Sequence, residues 1–286
     1  MNILVTGHKG QLANEIYALA QSLSTQTTFF FKSENELDIT DHQALRNTIK
    51  QHKIDRVINC AAYTNVDNAE DEQEKAFLIN DTAVGNMAKI AKEHGAFLIH
   101  VSTDYVFDGR HYQPYNENDP TNPVSVYGKS KRAGELKIIE NEAGIIIRTS
   151  WLYSATGKNF VKSIARLAEE RDALKVVFDQ VGNPTFAGDL AQTIIHITTQ
   201  PKQELPHGVF HYSNEGVCSW YDFAMEITSM LNISCAITPI ESKDFPTKAP
   251  RPHYSVLNKE KIKKTFNREI PYWKDSLWEM LKNFKS

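Results

Sequence analysis

The chain opens with Met1-Asn2-Ile3-Leu4-Val5-Thr6, a short apolar run of the kind that forms a buried parallel strand. Gly7-His8-Lys9-Gly10-Gln11-Leu12-Ala13 follows at once, and Leu12, Ile16, Leu19, Ala20 and Leu23 then recur at helical spacing. Strand, glycine turn and helix in immediate succession demand a βα unit. In that setting a glycine pair also makes a dinucleotide site. Gly7 permits the tight turn, and Gly10 lets backbone approach a pyrophosphate at the helix N-terminus. The third glycine position holds Ala13, still small enough for close helix–strand packing. The plainer alternative is a βα turn that merely contains two glycines.

The same alternation continues. Strands are expected at Thr28–Phe31, Arg56–Ala61, Phe97–Ser102 and Gly144–Arg148, with later strands at Leu174–Phe178 and Gly208–Tyr212. A long helix should run from about Glu72 to His94, and another from Val126 to about Glu142. Asp108–Pro123, rich in Asp, Asn and Pro, reads as a loop. This is the pattern of an α/β fold, a doubly wound parallel Rossmann sheet with helices on both faces. After Ser213 the rhythm changes to a helix from Trp220, a short strand at Ala236–Ile240, a proline-rich loop through Pro252 and two final helices. The expected division is a dinucleotide-binding domain of residues 1–152 plus about 172–212. A smaller α/β substrate-binding lobe would take about 153–171 plus 213–286.

Composition narrows the class. A net charge of −3 without a basic block gives nothing for nucleic acid or a membrane surface. No apolar run approaches spanning length and no apolar stretch follows a basic start, so a cytoplasmic protein is expected. Cys60, Cys218 and Cys235 are scattered and odd in number, which suits free thiols in a reducing compartment. The histidines show no ligand spacing, and no metal site is expected.

Cofactor choice should be set after the second strand, where an acid would bind the ribose hydroxyls of NAD. Lys32 and Ser33 stand there instead. A cation and a hydroxyl suit a 2′-phosphate, so NADPH is the expected cofactor, with NADH accepted. A solvated Lys32 is the bland alternative. Asp38 follows and could lie near the adenine.

The chemistry points to Tyr127-Gly128-Lys129-Ser130-Lys131. A Tyr and a Lys four apart share one helix face. An ammonium near a phenol favours the phenolate and brings a tyrosine toward working pH, where it can pass a proton to a carbonyl oxygen. A surface Tyr and Lys on an amphipathic helix would share that spacing. Ser102-Thr103-Asp104 ends a predicted strand, at the edge where open parallel sheets bind ligands. The Thr103 hydroxyl could bond a substrate carbonyl there, or simply cap the turn. Asn59-Cys60-Ala61-Ala62-Tyr63-Thr64 ends the neighbouring strand with small residues that would let a cofactor lie close.

Together these segments resemble the extended short-chain dehydrogenase/reductase family. The resemblance rests on Gly7-x-x-Gly10-x-x-Ala13, Asn59-x-Ala61-Ala62, Ser102 through Gly109 and Tyr127 through Lys131, in order and spacing. Ala62-Tyr63-Thr64-x-Val66-Asp67-x-Ala69-Glu70, Arg148 through Tyr153, Asp179-Gln180-x-Gly182-x-Pro184-Thr185 and Arg251-Pro252 are similar to the dTDP-4-dehydrorhamnose reductases over nearly the whole length. The resemblance implies NADPH-dependent reduction of the C4 ketone of dTDP-4-dehydro-6-deoxy-L-mannose to dTDP-L-rhamnose, by a monomer or homodimer. It makes Tyr127 the general acid, Lys131 the holder of the nicotinamide ribose and tuner of Tyr127, and Thr103 the partner of the reacting oxygen. Gly7, Gly10, Gln11, Leu12, Lys32, Asp38, Ile39, Ala61, Ala62, Tyr63 and Thr64 would line the cofactor together with Tyr127 and Lys131. Asp104, Trp151 and Arg251 would contact the dTDP-sugar, Arg251 by forking onto its diphosphate. A core Trp151 and a solvated Arg251 are the bland alternatives. Tyr105 stands where the family's dehydratases carry an acid, so the group for water elimination is missing. Some family reductases bind magnesium across a dimer through a glutamate cluster; here Glu15 is present, but Gly188-Asp189 offers one carboxylate at the second place. Two other readings remain: another nucleotide-sugar reductase or epimerase, and a non-catalytic dinucleotide-binding regulator resembling that of methionine adenosyltransferase.

Overall fold

The structure is a computed structural model that describes residues 1–23, 27–282 and 284. Strands β1 (Asn2–Thr6), β2 (Thr28–Lys32), β3 (Arg56–Asn59), β4 (Phe97–Thr103) and β5 (Gly144–Thr149) form one sheet with the Gly208–His211 strand. From edge to edge the order is Gly208–His211, β5, β4, β3, β1, β2, and every neighbouring pair is parallel. After β2 the chain passes over β1 to lay down β3 on its other side. The carboxyl ends of β1 and β3 therefore flank a topological switch point, where such sheets open a ligand crevice.

Both faces of the sheet are dry, which explains its unbroken apolar strands. In β5, Ile145 and Ile147 enter one core cluster while Ile146 enters the other, and all three are fully buried. Helices α1 (Gln11–Ala20) and, later in the chain, Ala187–Thr199 cover the first face. The second is covered by α2 (His42–Gln51) and by a long helical stretch. Burying each isoleucine side chain is worth about 1.5–3 kcal/mol. The long helix expected from Glu72 to His94 is interrupted: α3 (Gln73–Phe77) passes through a π-helical turn at Leu78–Thr82 into α4 (Ala83–Glu93). That turn carries the buried Asn80. Helix α5 (Val126–Glu140) is capped by the Ser125 hydroxyl, which accepts from Gly128 N.

One expected strand of the sheet lies elsewhere. Ala173–Val177 pairs in parallel with Ala236–Ile240 and not with the six-stranded sheet. Its residues alternate, with Ala173 and Lys175 exposed and Leu174 and Val176 buried, so it has one apolar face, where a central parallel strand needs two. Leu174 and Val176 join a separate core with Tyr153, Val161, Phe223, Trp273 and Leu277. Among the described residues no helix is long and apolar enough to cross a membrane.

Candidate active site

The glycine turn after β1 is tight. Gly7 has φ +74°, and a Cβ there would lie 2.7 Å from Ala61 N and 2.8 Å from the Cys60 carbonyl carbon. A side chain would be strained by the backbone and blocked by the end of β3. Gly10 caps α1 without a side-chain cap, and no acid sits in the first turn. The turn thus presents unshielded backbone N–H groups and the positive end of the helix dipole, a setting for a pyrophosphate. Gln11 belongs to this turn through its backbone; its Oε1 is occupied, accepting from Asn159 Nδ2 at 2.8 Å and Ser154 Oγ at 3.2 Å. Leu12 and Ile39 are core residues, 4% and 6% exposed, so only their backbone can line a cofactor. Ala61 and Ala62 are half-buried, Tyr63 is buried and Thr64 is exposed.

At the end of β2, Lys32 is half-buried and its carbonyl accepts from His8 N at 3.0 Å, joining strand end to glycine loop. The expectation of no acid here needs correction. Glu36 folds back, and its Oε2 accepts from Ser33 N at 2.9 Å and Ser33 Oγ at 2.6 Å. These bonds, with Lys32 and His8 nearby, hold the Glu36 carboxyl below its ordinary value. Glu36 lies four residues beyond the strand end, past the position where a ribose-binding acid is expected. Asp38 is exposed, and its Oδ1 accepts from both Thr40 N and Thr40 Oγ1 at 2.8 Å.

The candidate catalytic residues come together where β4 meets α5. Thr103 ends β4, with its hydroxyl close enough to the Tyr127 phenol to favour the phenolate. Helix α5 can come this close because residue 128 is glycine: a Cβ there would collide with the Tyr105 carbonyl oxygen. The Tyr105 ring meets Tyr127 edge-on at 5.5 Å. Lys131 lies one turn on and is 2% exposed, its Nζ donating to Val101 O at 2.7 Å and standing 3.1 Å from His100 Nε2. Burial lowers Lys131 to about 8. Tyr127 moves the other way: burial, with help from Asp104 and Tyr105, raises it against the pull of the Thr103 hydroxyl. The expectation that Lys131 tunes Tyr127 downward is therefore not met in this state. Lys131 spends its bonds on β4, and desolvation governs the phenol.

Asp104 is 2% exposed and accepts from Thr103 Oγ1 at 3.0 Å. Burial pushes it up to about 6, the Thr103 and Ser255 hydroxyls pulling back part of the way. Arg251 is brought to the same place from the C-terminal loop. Its Nη1 donates to Tyr105 Oη at 3.2 Å and its Nη2 to Asp67 Oδ2 at 2.5 Å. It is neither solvated nor free, but held between Asp67 and the tyrosine beside Tyr127. Trp151 has φ +48°, an uncommon backbone for a bulky residue, and stacks on Trp220 at 3.5 Å between ring centres. One of its faces belongs to the C-terminal core.

Three supports were not singled out from the sequence. Asn80, fully buried on the π-turn, accepts from Tyr63 N at 2.9 Å and donates to Tyr63 O and Ser130 Oγ, each at 3.0 Å. It ties the loop after β3 to the helix of Tyr127 and Lys131. Glu135, one turn beyond Lys131, takes a two-pronged bond from Arg148 at 2.9 and 2.8 Å. His100 sits inside β4 beneath Lys131, 0% exposed. Each had a signal: a polar residue where the apolar pattern demands a core side chain. Among the described residues no group of three or more His, Cys, Asp or Glu could hold a metal. Asp189 Oδ2 accepts from Asn214 and Ser276.

Residues 1–286 match the RmlD substrate binding domain family. The chain belongs to that family. It is 39% identical over 285 residues to the spore coat polysaccharide biosynthesis protein SpsK of Bacillus subtilis, covering 99% of this chain and 98% of that protein. It is 39% identical over 289 residues to the dTDP-4-dehydrorhamnose reductase of Burkholderia thailandensis, covering 96% of each. Its fold superposes with a TM-score of 0.92 on the dTDP-4-dehydrorhamnose reductase of Bacillus anthracis, solved in complex with NADP, at 34% identity and 99% coverage of both chains. The family's fold is thus the one built here, from glycine turn to C-terminal lobe.

Proposed function

We propose that the chain is an NADPH-dependent dTDP-4-dehydrorhamnose reductase, converting the C4 ketone of dTDP-4-dehydro-6-deoxy-L-mannose to the alcohol of dTDP-L-rhamnose. The observation that carries the reading is the meeting of Thr103, Tyr127 and Lys131 at the sheet's carboxyl edge, beside a glycine turn shaped for a dinucleotide. Full-length similarity to a reductase, and to one solved with NADP, supports it.

The chain's own groups divide the work. The turn at Gly7 and Gly10 and the free end of α1 hold a pyrophosphate, while Lys32 offers its charge to a 2′-phosphate. Lys131 turns from β4 to the ribose hydroxyls. Reduced nicotinamide supplies a hydride to C4 when bound. Tyr127 gives its phenolic proton to the ketone oxygen, and Thr103 donates a second hydrogen bond that steadies the developing alkoxide. Hydride and proton together make the C–H and O–H bonds of the product alcohol. Asp104 accepts from a sugar hydroxyl, and Trp151 and Arg251 hold the remainder of the substrate from the C-terminal side. Tyr105 leaves no acid where a dehydratase has one, so the site reduces without eliminating water. One NADPH should be consumed for each dTDP-sugar reduced. An epimerase would consume none on balance, and a regulatory subunit would show no turnover.

A further inference from the structure

A line of buried polar groups runs under the sheet's edge from the glycine turn to Lys131. Thr6, Asn59, His100 and Lys131 are each between 0% and 2% exposed. Asn59 Oδ1 accepts from Thr6 Oγ1 at 2.6 Å and from Ala61 N at 3.1 Å. A backbone N–H can only donate, so it fixes which end of the Asn59 amide is oxygen. The amide nitrogen therefore faces His100 Nδ1, at 3.0 Å. Nδ1 must accept, and the imidazole proton of His100 resides on Nε2. That Nε2–H points at Lys131 Nζ, 3.1 Å away. An amine nitrogen has a lone pair to receive it. An ammonium has none, and two donors would face each other in a dry slot.

We propose that His100, locked by Asn59 with its proton on Nε2, is a positioning residue that favours the neutral amine of Lys131 in the empty enzyme, so that at alkaline pH cofactor binding is coupled to proton uptake by Lys131. This rests on the dinucleotide-dependent reading of the site. Leaving His100 for the ribose hydroxyls frees Lys131 to become the ammonium that favours the Tyr127 phenolate. At alkaline pH the empty site thus keeps its charge off until the cofactor arrives.

The other groups facing Lys131 leave this assignment standing. Glu135 on its own helix would favour the ammonium, but Arg148 and Arg132 neutralise it. Cys60, from the end of β3, is pushed up to about 12 by burial and stays a thiol. Burial pulls His100 well below its ordinary value, and a charged Lys131 would pull it further, so it stays neutral in either state of the lysine. The charges that act on Lys131 are those of Glu135 and Cys60, while Asp104 acts on Tyr127. Burial brings Lys131 to about 8, and the opposed His100 donor acts in the same direction.

The test is calorimetric titration of NADPH at pH 9 and pH 7 in buffers of different ionisation enthalpy, which counts the protons exchanged. A Tyr127→Phe background prevents the phenol from contributing. The expected uptake is about 0.9 proton per cofactor at pH 9 and about 0.1 at pH 7, from the fraction of Lys131 that is amine at each pH. Asn59→Asp should reverse the polarity of the line: a carboxylate accepts from Nδ1–H, Nε2 then accepts from the ammonium, and uptake at pH 9 falls below about 0.2. His100→Gln, whose amide can turn its oxygen to Lys131, should do the same without a buried acid. NADPH bound with no proton uptake at pH 9 overturns the inference and leaves the cofactor assignment intact. Uptake that persists unchanged in both folded variants also overturns it. No binding of NADPH at all overturns the reading of the site.

Discussion

Asn80→Ala should cost the fold about 2–5 kcal/mol. Asn80 is fully buried and makes three hydrogen bonds, two to the Tyr63 backbone and one to Ser130. Truncation strands the Tyr63 N–H and C=O, and each buried group left unpaired costs about 1–3 kcal/mol. Ser130 keeps a partner, because its hydroxyl still donates to Tyr127 O at 2.8 Å, so the third bond contributes less. A small void adds to the cost, and a water entering it would offset part. Urea unfolding should show a lower midpoint at unchanged slope. Asn80→Asp is the companion: it retains the acceptor for Tyr63 N–H but sets an oxygen against Tyr63 O, and should recover no more than a fraction of the loss. The KM for NADPH should rise in both, since Tyr63 borders the turn at Ala61 and Ala62. A loss below about 1 kcal/mol with unchanged KM would refute the assignment of Asn80 as the tie between that loop and α5.

Arg251→Ala should weaken dTDP binding by about 1–3 kcal/mol while leaving NADPH affinity unchanged, measured by calorimetry with each ligand. The opposite pattern would remove Arg251 from the substrate side. Lys32→Asp should move the kcat/KM ratio about tenfold from NADPH toward NADH, roughly 1.4 kcal/mol; no movement would assign the choice to another residue. The pH profile of kcat/KM for NADPH should be bell-shaped. The acid limb should lie near 6, where the buried Asp104 takes up a proton and stops accepting from the sugar, and the alkaline limb near 8, where Lys131 gives up its charge. Asp104→Asn should abolish the acid limb; a limb that stays in place belongs to another group.

The fold was legible because its strands obey simple physics. A parallel strand buried on both faces reads as a continuous apolar run, and β1, β3, β4 and β5 all do so. Ala173–Val177 was misassigned because its length and β-branched content match such a strand, while its alternation, the telling feature, is only four residues long. The proposed reacting trio stood out because Thr103 sits at a strand end and Tyr127 and Lys131 one helical turn apart. Its electrostatics were not. Spacing reveals that a lysine shares a face with a tyrosine, but not that Val101 and His100 already claim its nitrogen. Glu36 escaped for a similar reason, since a carboxylate that folds back three residues leaves no periodic trace.

The most direct test is reduction of dTDP-4-dehydro-6-deoxy-L-mannose with NADPH deuterated at the reactive nicotinamide carbon, comparing the wild-type protein with Tyr127→Phe. The account predicts stoichiometric NADPH oxidation, deuterium at C4 of a dTDP-6-deoxyhexose product, and a loss of about 10²–10⁴-fold in kcat when the phenol is removed, with NADPH still bound. Product without deuterium at C4, or a Tyr127→Phe enzyme that turns over at the wild-type rate, would contradict it.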